Sequence, residues 1–271
     1  MAKPEIEPGV RLDRLSSRQT MQLTILGSGT NVHPTRAAAG YLVQTDHLIL
    51  LDFGPRTLMN LLKTGVNRHR ITHILFSHYH ADHWSDFVTY LFDEIIFAKF
   101  EGGTRPPLTV MGPKGTSRLF RTMFGMLPGF DQAPFPVRYR DLQDRAIRIG
   151  DTKIVPTTVL HAPGLHCLGY RLEYRGSALA YSGDTRYCAA LVRLCGDTDL
   201  AVLDCSFPAS RPNPVHLHAG QCGQVAHEAG VGRLVLSHFY PIAERYDVKA
   251  QAGEAFGGPI TVAKDLLRMK I

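Results

Sequence analysis

The sequence contains little of the chemistry that marks several protein classes. Its 271 residues include only five cysteines, an odd number, and no two of them form a CxxC pair. A disulfide framework is therefore not expected, and the cysteines are typical of the reduced, buried thiols of cytosolic proteins. No apolar run approaches the ~18 residues of a transmembrane helix, and the N-terminus lacks the apolar segment of a signal peptide. These absences predict a cytoplasmic protein that does not enter a membrane.

A strong charge bias is also missing. Lysine and arginine number 30 against 24 aspartate and glutamate residues, which gives a formal net charge of +6. The basic residues are scattered rather than grouped in runs, so they do not outline a nucleic-acid surface. A modest positive charge favours an anionic partner, such as an RNA, a nucleotide or a phosphate ester, without identifying one.

The chain has the composition of an ordinary globular protein, with 44% hydrophobic and 20% charged residues. We predict an N-terminal extension over residues 1–20 and a single domain over residues 21–271, because no linker divides the rest. No role is assigned to the extension or to residues 125–144. Strands are predicted at 21–26, 41–44, 47–51, 71–76, 108–111, 153–160, 169–174, 178–181, 200–203 and 233–237. Helices are predicted at 57–63, 86–97, 116–124, 221–229 and within 241–256.

Strands and helices thus alternate in both halves of the chain, and polar residues follow several strands directly. This pattern predicts an α/β protein in which two sheets pack face to face, with helices outside and one site along a shared edge.

The segment 77–84 reads SHYHADHW and is the densest group of possible metal ligands in the sequence. At the end of a strand, His78 and His80 point to the same side because side chains alternate. If a helix follows, Asp82 and His83 lie in its first turn and can serve a neighbouring position. Neutral imidazole and carboxylate ligands suit Zn²⁺ and admit Mn²⁺ or Fe²⁺. The segment therefore predicts two adjacent metal positions.

Four more polar residues follow predicted strands and could join this cluster. The residues are Asp52, His161, Asp184 and His238. Asp52 precedes a phenylalanine and a glycine, so it is either a turn former or a hydrogen-bond acceptor for a histidine of the cluster.

The sequence resembles the metallo-β-lactamase-fold superfamily, and within it most closely the ribonuclease Z-like branch. The HxHxDH pattern is complete at residues 78–83, and further strings of the branch follow in order. They are LGSGT at 26–30, LLDFG at 50–54, GPKGT at 112–116, LGYRLE at 168–173, YSGDT at 181–185 and LVLSHF at 234–239. The resemblance implies a four-layer αββα sandwich, with two mixed β-sheets and helices outside. It also implies a hydrolase with two divalent metal ions, Zn²⁺ in the first instance.

The resemblance further implies a role for each strand-end residue. One ion would be held by His78, His80 and a third histidine, the other by Asp82, His83 and His238, with Asp184 bridging both and Asp52 orienting a ligand. The third histidine is either His161 or His166. His161 is preferred because it ends a clear strand.

A histidine before a helix assists at the phosphate in the ribonuclease Z family. His216 matches that position best, His218 is the second choice, and a surface histidine with no role is the alternative.

The departures from the family pattern limit which substrate is expected. Ribonuclease Z usually has glycine where this chain has Ala81, and the region before Leu108 leaves no room for the long arm that grips tRNA. Processing of whole tRNA is therefore not expected. The resemblance also suggests a homodimer.

We predict a phosphodiesterase for RNA ends, cyclic nucleotides or another small phosphodiester. A hydroxide bridging the two metals and oriented by Asp82 would attack, and His216 would stabilise charge or protonate the leaving oxygen. Hydrolysis of a lactone, thioester or other ester uses the same metals and is the alternative. A non-catalytic metal- or RNA-binding protein is a third class, which the complete set of ligands disfavours.

Overall fold

The computed structural model describes residues 20–130 and 133–271, so the predicted extension over residues 1–20 lies outside the described residues except for Thr20. Within these ranges the chain forms two seven-stranded sheets that pack face to face.

The first sheet takes its strands from the first half of the chain and from the C-terminal end. They are β1 (Gln22–Gly27), β2 (Gly40–Gln44), β3 (Leu48–Phe53), β4 (Ile71–Leu75), β5 (Leu108–Gly112), β6 (Val137–Asp141) and β14 (Arg268–Lys270). The spatial order is β14-β1-β2-β3-β4-β5-β6, and the neighbours from β3 to β6 are parallel.

The second sheet takes its strands from the second half. They are β7 (Ile147–Ile149), β8 (Thr152–Val159), β9 (Cys167–Tyr174), β10 (Ser177–Tyr181), β11 (Leu200–Asp204), β12 (Leu234–Ser237) and β13 (Ile260–Val262). The order is β13-β12-β11-β10-β9-β8-β7, with β10 to β13 parallel and the others antiparallel.

Helices cover the outer faces of both sheets. The first sheet is covered by α1 (Thr57–Lys63), α2 (Asp86–Phe100) and α3 (Thr116–Met126), the second by α4 (Ala189–Cys195), α5 (Ala219–Glu228) and α6 (Val248–Gly253). The predicted four-layer αββα sandwich with two mixed sheets is confirmed.

The side chains of β3 show how the sequence produces these layers. Ile49 and Leu51 face the second sheet, whereas Leu48 and Leu50 face the helices of the first sheet. Alternate residues of a strand point to opposite faces. Because both faces of the strand are covered, the run is hydrophobic throughout, as is typical of a buried parallel strand.

Five of these elements were not predicted from the sequence: β6, β7, β13, β14 and α4. The segment 125–144, to which no element was assigned, contains the edge strand β6, whose residues are half-buried or exposed because arginines alternate with Val137 and Tyr139. Strands β7, β13 and β14 have three residues each, too few for a clear alternation. One further difference is local: Asp82 and His83 lie in a single 3₁₀ turn, Ala81–His83, and α2 starts only at Asp86.

The five cysteines are all buried and free, as expected of reduced thiols. Among the described residues, no helix has the length and apolar character needed to cross a bilayer.

One ion pair is enclosed beneath α2. Arg105 donates to Glu94 across 2.7 Å, and neither side chain is exposed. The same guanidinium donates to the carbonyl of Ile71 at 2.7 Å and lies 4.6 Å over the ring of Phe135. Burial raises the pKa of the Glu94 carboxyl to about 7, although Arg105 lowers it. The pair joins α2 to the start of β4.

We expect Arg105→Met to lower the free energy of unfolding by about 3–5 kcal/mol, because the buried Glu94 loses its closest cation and keeps His69 at 2.9 Å and Arg68 at 3.9 Å. This loss of unfolding free energy should grow as the pH rises from 5 to 8. The pKa of Glu94 is raised in the folded state, so the folded protein binds more protons than the unfolded chain, and stability falls as the pH rises through the folded pKa. Urea unfolding at several pH values measures this.

The matched control is Lys153→Met. Lys153 pairs with Glu173 at 2.9 Å, but both side chains are more than a third exposed. Its loss should change the unfolding free energy by less than about 1 kcal/mol. Equal effects of the two substitutions would show that the buried pair does not contribute as described.

Candidate metal centre

The candidate metal ligands meet at one edge of the sandwich, where strands of both sheets end. His78 and His80 follow β4, His161 follows β8, Asp184 follows β10, and His238 follows β12 directly. Strands that run in the same direction bring their carboxyl ends to one edge, so side chains distant in sequence converge there. Both sheets therefore contribute to a single site.

One group of ligand atoms comes from His78, His80, His161 and Asp184, and all four atoms lie within 4.8 Å of one another. Nδ1 of His80 lies 3.2 Å from Nε2 of His161. Oδ2 of Asp184 lies 3.8 Å from Nε2 of His78 and 3.8 Å from Nε2 of His161.

A second group lies beside the first and contains Asp82, His83 and His238. Nε2 of His83 lies 3.2 Å from Nε2 of His238, and Asp82 lies 3.6 Å from the same His238 nitrogen. Oδ1 of Asp184 lies 3.3 Å from His83 and 3.4 Å from His238. The two carboxylate oxygens of Asp184 thus face one group each.

These distances fit divalent metal ions. Ligand atoms bound at ~2.0–2.1 Å in a tetrahedron lie roughly 3.3 Å apart, which is the spacing of the closest nitrogens and oxygens here. Nε2 of His78 is buried without a hydrogen-bond partner among the described residues. A buried polar atom without a partner is unfavourable, and a metal ion would satisfy it.

In three of the candidate ligand histidines, the nitrogen that points away from the centre makes a hydrogen bond that fixes the orientation of the ring. Nδ1 of His83 donates to Asp52 at 2.7 Å, Nδ1 of His161 lies 2.9 Å from the Val215 carbonyl, and Nδ1 of His238 lies 3.0 Å from the Ser206 hydroxyl. Such partners fix the tautomer and leave Nε2 for a metal.

Asp52 is fully buried and acts as an acceptor rather than a turn former. Besides His83, it accepts hydrogen bonds from the Ser77 amide at 2.6 Å, the Ser77 hydroxyl at 2.7 Å and the Tyr181 hydroxyl. It therefore joins β3, the start of the histidine cluster and β10.

Asp204 was not predicted as a site residue. It ends β11 and accepts from Nδ1 of His216 at 2.8 Å, from the Thr185 amide at 3.2 Å and from both the amide and hydroxyl of Ser206. The same Ser206 hydroxyl contacts His238. The signal was present in the sequence, because Asp204 ends an apolar strand as Asp52 does.

The backbone is strained at two of these positions. Asp52 has a φ of 55° and His238 a φ of 62°, in the left-handed region that residues with a side chain avoid. Such conformations are unfavourable by about 1–3 kcal/mol each and cluster at functional sites. Gly183 also needs its φ of 57°, and a Cβ there would lie 2.8 Å from Cβ of Ser77. Only glycine lets the chain turn Asp184 into the site here.

The charges of the site are arranged for cations. Burial lowers the pKa of His83, but the carboxylates of Asp184 and Asp52 raise it to about 10. The pKa of His238 is also raised, chiefly by the carboxylate of Asp184, although burial lowers it. In contrast, burial and the nearby imidazole of His83 lower the pKa of His78. Without metal ions, protons on histidines must balance the carboxylates, so binding two cations would release them.

The structure gives different surroundings to the histidines between which the sequence did not decide. His161 lies among the candidate ligands, whereas His166 accepts from the Lys114 amide at 3.3 Å and contacts the Thr158 hydroxyl at 3.2 Å. His216 lies in the site, with its ring 4.7 Å from that of His161. His218 instead caps the N-terminus of α5, where it accepts from the Gln221 amide.

Comparisons with known proteins agree with this geometry. A family model described as "Beta-lactamase superfamily domain" matches residues 47–239, a range that contains every candidate ligand. An uncharacterised protein of Mycobacterium tuberculosis is 32% identical over 263 residues, which covers 89% of each chain. A ribonuclease Z of Mycobacterium marinum is 28% identical and covers 93% of this chain and 99% of its own.

Among solved structures, the metallo-β-lactamase fold protein YhfI from Bacillus subtilis superposes with a TM-score of 0.82. It is 22% identical, and the match covers 93% of this chain and 100% of that chain. At this identity the structural likeness shows the fold alone. Taken with the family model and the sequence relatives, these findings show that the chain belongs to the metallo-β-lactamase superfamily, within which it is similar to proteins named ribonuclease Z.

Proposed function

We propose that the protein is a binuclear metal-dependent phosphodiesterase that hydrolyses a small phosphodiester or an RNA end. The observation that carries the proposal is Asp184, whose two oxygens face two separate groups of ligand atoms. When bound, two divalent ions, Zn²⁺ in the first instance, supply a water-derived nucleophile at neutral pH and offset negative charge at phosphorus.

The proposed ligands are the seven residues named from the sequence. They are His78, His80 and His161 for one ion, Asp82, His83 and His238 for the other, and Asp184 between them. Asp82 is also placed to accept a hydrogen bond from the attacking water, because it is a carboxylate at the edge of the second group.

His216 is the residue proposed to act on the leaving group. Its Nδ1 donates to Asp204, which leaves Nε2 as the nitrogen that can contact substrate. The buried carboxylate of Asp204 holds the ring in this tautomer, as an aspartate does in other acid–base pairs. From Nε2 the ring can donate a hydrogen bond to a phosphate oxygen or pass a proton to the leaving oxygen.

The loops around the site favour a small substrate. Helix α2 is followed by residues 101–107 and then at once by β5, so no extended arm arises between the histidine cluster and Leu108. The relative named ribonuclease Z supports phosphodiester chemistry for this branch, but the missing arm argues against binding of a whole tRNA. The buried imidazole of His216 also suits an alkoxide leaving group, which needs a proton.

Metal-replete protein should hydrolyse bis-p-nitrophenyl phosphate faster than a lactone or a thioester. Release of p-nitrophenolate, measured beside hydrolysis of a lactone and a thioester at equal metal loading, tests the reaction class. Turnover of the lactone or thioester without turnover of the phosphodiester would replace the proposal by the ester-hydrolase alternative.

The third histidine ligand can be tested by counting ions. His161→Ala should reduce the bound metal from two ions per chain to about one, because it removes a ligand from one group only. His166→Ala is the matched control and should retain both ions, since its side chain contacts Lys114 and Thr158 instead. Elemental analysis of extensively dialysed protein gives the count, and equal counts in the two variants would refute the assignment.

His216→Ala should lower kcat by about 10²–10⁴-fold for a phosphodiester with a poor leaving group, the usual contribution of a positioned proton donor. The metal content should not change. His218→Asn is the control, because asparagine retains the cap of α5. A loss of metal in His216→Ala, or equal kinetics of the two variants, would contradict the assigned role.

A further inference from the structure

Two aromatic rings lie beside the candidate metal centre without a role in the reaction described so far. Phe207 follows Ser206, and Tyr240 lies two residues after His238. Their rings are stacked, with centroids 5.0 Å apart and planes inclined by 19°. Both side chains are half-buried, so part of the pair faces solvent. We call Phe207 and Tyr240 the aromatic wall.

The aromatic wall lies beside His216 and beside His238, a member of the second ligand group. The centroid of the Tyr240 ring lies 5.8 Å from that of His216 and 6.3 Å from that of His238. Phe207 lies 6.0 Å from His216. These rings are therefore within reach of a group attached to a phosphorus at the metal centre.

Packing of the sheets does not explain the wall. Within the described part of the chain, neither Phe207 nor Tyr240 belongs to the two apolar clusters that join the sheets and helices. The backbone nevertheless holds both rings in place, because the Phe207 carbonyl accepts from the Ala219 amide at 3.0 Å and the Ser206 carbonyl accepts from the Tyr240 amide at 3.4 Å. Exposed aromatic side chains on a rigid backbone are a suitable surface for binding.

The chemistry of such a surface favours a planar aromatic group. A nucleobase stacked on an aromatic side chain contributes about 1–3 kcal/mol, and every base can do this because every base has a π-face. A nucleotide also carries the phosphodiester that the proposed reaction requires, joined to the base through a sugar. A simple dialkyl phosphate has no planar group that could stack on the aromatic wall.

We infer that the substrate is a nucleotide whose base stacks on the wall formed by Phe207 and Tyr240, beside the phosphodiester at the metal centre. The inference rests on the proposed phosphodiesterase function and adds to it the class of the substrate.

The test compares two diesters with the same leaving group. Methyl p-nitrophenyl phosphate and the p-nitrophenyl ester of thymidine 5′-monophosphate share the p-nitrophenyl ring and differ only in the second group, a methyl or a thymidine. The wild-type protein should prefer the thymidine ester. Any contact of the p-nitrophenyl ring with the wall is common to both diesters, so the ratio of the two kcat/KM values reports the base alone. Tyr240→Leu and Phe207→Leu should each lower this ratio by roughly 5- to 150-fold, the range of one stacked base.

Two control variants separate stacking from other effects. Tyr240→Phe retains the ring and should keep the preference for the thymidine ester. Phe92→Leu removes an exposed ring from α2, where 44% of the residue is accessible, and should have no effect. If the leucine variants slow both diesters equally while the metal content is unchanged, the wall supports the site's structure and the inference is wrong.

A binding measurement keeps the inference separate from the reaction. Calorimetric titration of the metal-replete protein with thymidine 5′-monophosphate should show weaker binding in Tyr240→Leu and Phe207→Leu than in wild type. If neither diester is hydrolysed, the proposed function fails, and the titration alone decides whether the wall binds a base. Unchanged affinity in both leucine variants would overturn the inference.

Discussion

Buried carboxylates in contact with imidazoles are the constraint on which the site depends. Asp184 lies between two groups of ligand atoms, and Asp52 and Asp204 lie behind them with almost no exposure. A carboxylate removed from water is unfavourable by several kcal/mol unless cations or hydrogen bonds compensate it. Within the described residues, the groups that compensate these carboxylates are histidines, hydroxyls and backbone amides, and none is a lysine or an arginine. The arrangement is stable because the histidines can carry protons, and it is suited to metal ions because they can release them.

The convergence of ligands requires the two sheets to hold one position relative to each other. Three tyrosines make hydrogen bonds between the sheets close to the site. Tyr41 of β2 contacts the Ser237 hydroxyl at 2.8 Å, Tyr170 of β9 donates to the Phe76 carbonyl at 2.6 Å, and Tyr181 of β10 donates to Asp52. Each bond lies within one to three residues of a proposed ligand or its supporting carboxylate. An apolar core alone would allow the sheets to slide, whereas buried polar groups that must be paired specify a single position.

Much of this molecule could be predicted from local sequence patterns. The apolar run of β3 indicated a strand, and the spacing in residues 77–84 indicated a candidate ligand cluster, since both depend only on neighbouring residues. The contacts of Asp204, the role of the tyrosines and the choice between His216 and His218 could not be derived from neighbouring residues alone. Each depends on a partner far away in the sequence: β11 must lie next to β10 and β12 before Asp204 meets His216, and α5 must begin at Ala219 before His218 becomes its cap. Strand β6 was missed because an edge strand buries only one side of its alternating pattern.

The reaction class and the substrate are determined by different parts of this site. The proposed ligands come from strand ends, which the fold positions in the same way whatever the substrate, and they supply the nucleophile and the charge at the reaction centre. The residues beyond them are those that can select a substrate. In the proposed function His216 contacts a leaving group that needs a proton, and Phe207 and Tyr240 offer a planar apolar surface next to it. These three residues follow β11 and β12, in loops that also hold His238 and the Ser206 and Val215 groups that hydrogen-bond to His238 and His161. A change of substrate in relatives of this fold should therefore begin at the side chains of these loops other than the proposed ligands and their hydrogen-bond partners.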